Sequence, residues 1–112
     1  MRFMTLLKSS GDFGPPPPEV FGAIAALGDQ AGKTLVESAG LSLPADSVRV
    51  SLNGGQITRT DGCDSVSADA YAIYEVADLD EATAWATKFL DVHRKHWPAW
   101  EGTVEIRQTF GA

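Results

Sequence analysis

Val48-Arg49-Val50-Ser51-Leu52-Asn53-Gly54-Gly55-Gln56-Ile57-Thr58-Arg59-Thr60-Asp61-Gly62-Cys63-Asp64 carries the chain to a polar stretch at 65–69, and Ala70-Tyr71-Ala72-Ile73-Tyr74-Glu75-Val76 follows. Val48, Val50 and Leu52 alternate with Arg49, Ser51 and Asn53, the period of two of a strand with one wet face. Asn53-Gly54-Gly55 tolerates positive φ and reverses the chain into Gln56 to Thr60, where Thr58 and Thr60 favour extended backbone. That predicts a hairpin. Asp61-Gly62 is a second turn signal, and the run 70–76 is apolar on both faces, as expected of a central strand. The rest of the chain is expected to pack on this region.

Outward from it, Arg2 to Lys8 reads as a first strand, with Phe3, Met4, Leu6 and Leu7 putting apolar groups on both faces. Helices would cover one face only, so a second subunit or a ligand is expected on the other. Gly11, Gly14 and the four prolines at 15–18 predict a stiff connection whose last proline starts a helix. From Glu19 the pattern turns helical: Val20, Phe21, Ile24, Leu27, Ala31, Leu35 and Val36 recur at spacings of three and four, and Gly40 is the expected C-terminal stop. Gly22, Gly28 and Gly32 each weaken that helix by about 1 kcal/mol relative to alanine. They lie inside a helical pattern and form no phosphate loop.

Past the central strand, Asp78 is an expected helix cap with Glu81 in capping-box position. Ala82, Trp85, Ala86, Phe89 and Leu90 make an apolar stripe, and the helix is expected to end near residues 94–97, before Pro98. Thr103 to Phe110 alternates again, giving the order β-α-β-β-β-α-β.

The opening Met1 to Lys8, the Gly54-Gly55 turn, the Thr60-Asp61-Gly62 step, the strand 71–76 and the closing Val104-Glu105-Ile106-Arg107 together resemble the YCII-related family, in the branch named for an Asp-Gly-Pro-Phe motif. Asp61 and Gly62 match the motif. Cys63 and Asp64 stand where that branch has Pro and Phe, which removes residues that would stiffen the turn. The resemblance spans nearly the whole chain, 1–112, as one domain. It implies an α+β, ferredoxin-like fold of the dimeric α/β-barrel type: an antiparallel sheet, two helices on one face and a hairpin extension. It also implies a homodimer. Some members of the family sit beside extracytoplasmic-function sigma factors.

Composition narrows the function classes. Nine basic residues against fifteen acidic ones give a formal charge of −6, which repels nucleic acid and acidic membrane surfaces alike. No apolar run approaches the roughly 20 residues of a membrane span, and no cleavable leader is evident, so a cytoplasmic location is expected. A lone cysteine, Cys63, forms no intrachain disulfide, and its acidic neighbours Asp61 and Asp64 disfavour a thiolate.

Asp61 is the first residue to examine for chemistry: a carboxylate beside a turn glycine acts as a general base if burial raises its pKa, and as a turn cap if it does not. His93 and His96 share a helix face. Either could act as acid or base with Asp61 across a cleft; as a metal pair with Asp91 or Glu101 they are opposed by Arg94 and Lys95, so no metal and no cofactor is expected. Helix-end charge in solvent is the plainer expectation for both histidines. Arg49, Tyr71, Tyr74 and Arg107 are the candidates to line a ligand cleft, and each is equally explained as a surface or edge residue. Two functions follow as expectations: a small dimeric protein that binds or transforms a small polar molecule near Asp61, or a non-catalytic interaction module, in a setting that the sigma-factor neighbourhood suggests.

Overall fold

The computed structural model describes residues 1–111. Strand β1 (Arg2–Ser9) is followed by helix α1 (Pro18–Ala31), a 3-10 turn at Gly32–Thr34, and strand β2 (Leu35–Gly40). A second 3-10 turn at Pro44–Asp46 leads to β3 (Val48–Asn53) and β4 (Gln56–Asp61), and then come β5 (Ala70–Glu75), helix α2 (Leu79–His96) and β6 (Gly102–Gln108). The main sheet has the order β2-β5-β1-β6, with every neighbouring pair antiparallel. The chain is therefore α+β with an antiparallel sheet and two helices, an arrangement compatible with a ferredoxin-like fold.

Local chemistry explains the helix ends. Pro18 occupies the first position of α1, where its missing N–H is no loss. Asp78 caps α2 by accepting from the Glu81 amide at 2.9 Å, while the Glu81 carboxylate reaches back to the Ala77 amide at 2.8 Å. That is the capping box with its return bond displaced by one residue.

Three expectations are corrected. The helix from Glu19 does not reach Val36: it stops at Ala31 because Gly32 takes φ +56° as its C-cap, a conformation that glycine adopts at little cost. Leu35 to Gly40 is instead the edge strand, paired with β5 across an irregularity between Leu35 and Glu37. The hairpin 48–61 is not the sheet's organiser but a separate two-stranded unit. Its two-residue turn has φ +57° at Gly54 and +79° at Gly55, as a type I′ turn requires. Val48, Val50, Leu52 and Ile57 are all exposed, Ile57 at 74%. The last strand stops at Gln108, and Phe110 lies outside it, also exposed.

The core lies between the sheet and α2, and consists of Phe3, Ala72, Tyr74, Val76 and Ala82, with Leu35, Trp85 and Ile106 packed against it. In the β1–β5 register, Phe3 faces Tyr74 and Thr5 faces Ala72, so the alternation of the pleat puts these four toward the helices. It turns Met4, Leu6, Tyr71 and Ile73 to the other face. The Cα atoms extend only 17 Å along the short axis, about the depth of one sheet and one helix layer, so among the described residues no further layer covers that second face. The accessible surface is 7597 Å² for an 11.9 kDa chain, where scaling with mass gives about 6,000 Å² for a compact monomer. The excess measures the flat sheet and the unpacked hairpin together.

Candidate functional site

Small residues dominate where α1 crosses the sheet. α1 packs on α2, but its sheet-facing side offers only Ala25, Gly28 and Ala31 between its larger side chains. The sheet answers with Ala70, Ala72, Ser38 and Gly40. Facing rows of small residues cannot fill the gap, and a cavity of about 430 Å³ results. This lies within the roughly 300–1,000 Å³ of small-molecule pockets. Phe21, Ile24, Leu27 and Leu35 form its apolar wall near α1, and Phe89 and His93 close it from α2.

Few polar side chains reach the cavity. Thr5 donates its hydroxyl to the Ala72 carbonyl at 3.1 Å. Tyr74 stacks on Trp85 with centroids 6.0 Å apart, and burial raises its phenol pKa. His93 is 96% buried, contrary to the expectation of a solvated helix end. It sits one turn after Phe89, whose carbonyl bonds its Nδ1 at 2.9 Å. Its ring lies 4.4 Å from Trp100 and 4.9 Å from Phe89 by centroid. Among the described residues, no Asp, Glu, Lys or Arg lines the cavity.

The residues singled out in the sequence separate. Tyr74 and His93 line the cavity. Tyr71 borders it too, but the register turns its side chain to the open face beside Leu6. There its pKa is raised first by desolvation, then by the negative charge of Glu37 and a hydrogen bond to it. Asp61 is at the end of β4, exposed and paired with Arg59 at 2.7 Å. It does not line the cavity. Arg49 bonds the Ser65 carbonyl at 3.0 Å, tying the hairpin to the following loop. Arg107 is exposed on β6, opposite Met4 on the open face. His96 is exposed and one turn past His93, which faces inward, so the two do not converge. Asp91 is engaged by Lys95 at 3.0 Å and by Arg94, and these hydrogen bonds, Lys95's first, hold its pKa below the usual carboxylate range. No group of three potential ligands gathers to hold a metal among the described residues.

Thr5, Phe89 and the small-residue rows were not apparent as a site in the sequence. Thr5 sits in an apolar strand, Phe89 in a core stripe, and the alanines are unremarkable until two elements set them opposite one another. Among the described helices, none is long and apolar enough to cross a membrane. No family model matches the chain, and no curated protein matches it either.

Proposed function

We propose that this protein binds a small, mostly apolar molecule in the cavity between α1 and the sheet. The observation that carries the reading is the 430 Å³ space itself, walled by aliphatic and aromatic side chains with only a few polar groups. A binding role fits the lining, in which, among the described residues, no carboxylate and no cysteine side chain stands. The YCII-related resemblance and a cytoplasmic setting belong to the same proposal. The strand order is compatible with the ferredoxin-like fold that the resemblance implies, and the single thiol is consistent with a reducing compartment.

A melting screen of the full chain with uncharged apolar compounds tests the reading, since a compound that binds only the native state raises its melting temperature. At a hundredfold excess over Kd, the stabilisation is about 2.7 kcal/mol. Gly28→Leu should abolish the shift while the unliganded protein stays folded: a Cβ there meets only Leu35 Cδ2 at 3.7 Å, so the new side chain enters the cavity. Asp61→Asn should leave the shift untouched, because Asp61 lies outside the lining. No shift with any compound, or equal shifts in Gly28→Leu, would remove the cavity from the functional account.

A second reading, protein association, is favoured by the surface excess and by the two uncovered apolar faces. The homodimer of the dimeric α/β-barrel type joins two copies through the face bearing Met4, Leu6, Tyr71 and Ile73. The excess of about 1,600 Å² per chain is on the scale that one partner gives up in a permanent dimer. Light scattering over a dilution series should return twice the 11.9 kDa mass of one chain at tens of micromolar. A monomer throughout sinks it.

A further inference from the structure

Among the polar side chains that line the cavity, His93 and Tyr74 are the most buried, each 4% exposed. Its Nδ1 stands 2.9 Å from the Phe89 carbonyl. A carbonyl oxygen only accepts, so Nδ1 carries the proton, and in the uncharged form of the ring the lone pair is then on Nε2. Among the described residues, no fully buried side-chain nitrogen or oxygen lacks a partner. The ring's hydrogen bond is made at Nδ1, so Nε2 has no protein partner and is not fully buried, and the space that His93 lines is the cavity. Phe89, Trp97 and Trp100 surround the ring, with centroids within 6.4 Å, and hold it in that orientation.

The other polar groups shape what can enter. The Thr5 hydroxyl hydrogen is committed to Ala72, the Tyr74 ring is held in its stack on Trp85, and Ser38 is exposed on the edge strand. A carboxylate or phosphate would meet the Nε2 lone pair with no cation in the lining to offset its desolvation. An ether or a hydrocarbon would cover Nε2 and leave it unpaired, at the cost of a buried acceptor without a donor.

From these observations we infer that the ligand is an uncharged apolar molecule bearing one hydroxyl or N–H group, docked by donation of that hydrogen to His93 Nε2. This rests on the cavity being the binding site.

Three fluorescent two-ring probes separate the possibilities: naphthalene, 2-naphthol, which donates and accepts, and 2-methoxynaphthalene, which only accepts. Titrated against the full chain, 2-naphthol should bind roughly five- to tenfold tighter than either of the others, the worth of one net hydrogen bond. His93→Asn places an amide where Nδ1 was, keeping a donor for Phe89 but lacking Nε2, and should bring the three affinities within about twofold of each other. His93→Gln puts an amide oxygen near the place of Nε2 and should restore part of the 2-naphthol preference. Because the readout is a ratio of probes within each variant, a general loss of stability does not mimic it. In 15N-detected NMR, the neutral His93 should show the Nδ1-protonated tautomer, and its Nε2 resonance should move with 2-naphthol and not with naphthalene. Equal affinities in the wild type, or a preference that survives His93→Asn, overturns the donor assignment while the cavity stands as a site. If none of the probes binds, the cavity reading fails and takes this inference with it.

Discussion

Phe3→Ala lowers the stability of the protein by about 3–5 kcal/mol, the range for deleting a buried aromatic ring. Phe3 is 3% exposed and is the largest apolar side chain of a core whose other members include Ala72 and Ala82. Ala72 and Ala82 have no longer side chain to swing into the void. The backbone cannot close it either, since Phe3 is in register with Tyr74 on one side and Gln108 on the other. Against a total stability of about 5–15 kcal/mol for a domain of this size, the variant sits near its unfolding threshold at 37 °C. Urea unfolding followed by tryptophan fluorescence measures the loss. A decrease below about 1.5 kcal/mol would mean that α2 can settle onto the sheet, which this packing does not allow.

Gly102→Ala should be nearly as damaging for the opposite reason. A Cβ at Gly102 would lie 2.4 Å from two ring carbons of Trp100 and 2.5 Å from the carbonyl oxygen of Lys8. The second contact is backbone, so no rotamer relieves it. Either β6 moves away from β1 where Ser9 pairs with Gly102, or the indole leaves its place, breaking the bond from Trp100 Nε1 to Ser9 Oγ at 2.8 Å. Overpacking of this kind costs about 1–3 kcal/mol, and the lost hydrogen bond adds about 1. Trp100 also packs on His93, so the damage should reach the cavity: 2-naphthol binding should weaken more than the stability loss alone explains. Trp100→Ala should cost less on top of Gly102→Ala than by itself, because the two residues share one contact. Strict additivity would mean that Gly102 acts through Lys8 alone.

The sequence and the structure agree where the determinants are local. The hairpin 48–61 was legible because alternation and an Asn-Gly-Gly turn leave few other conformations. α2 was legible from its capping box and from Pro98, and the start of α1 from the proline run. The edge strand 35–40 was misread because Leu35 stands at helical spacing from Ala31, with Val36 next to it. Short apolar runs of that kind fit either period. Which of several glycines ends the helix depended on the φ each one adopts, and it is Gly32 that takes the left-handed value.

The candidate site was less legible than the fold. Asp61 drew notice as a motif residue, but the hairpin carries it away from the cavity. His93 looked like helix-end charge, and it is buried because Trp100, returning from beyond Pro98, packs against its ring. The sequence by itself determined the periods, the turns and the helix caps, since each depends on side-chain and backbone chemistry within a few residues. Tertiary structure alone decided that β2 lies beside β5, that two rows of small residues meet across a gap, and that His93 lines that gap. Those are relations between segments far apart in the chain, and they follow from burial and register, which no window of a few residues contains.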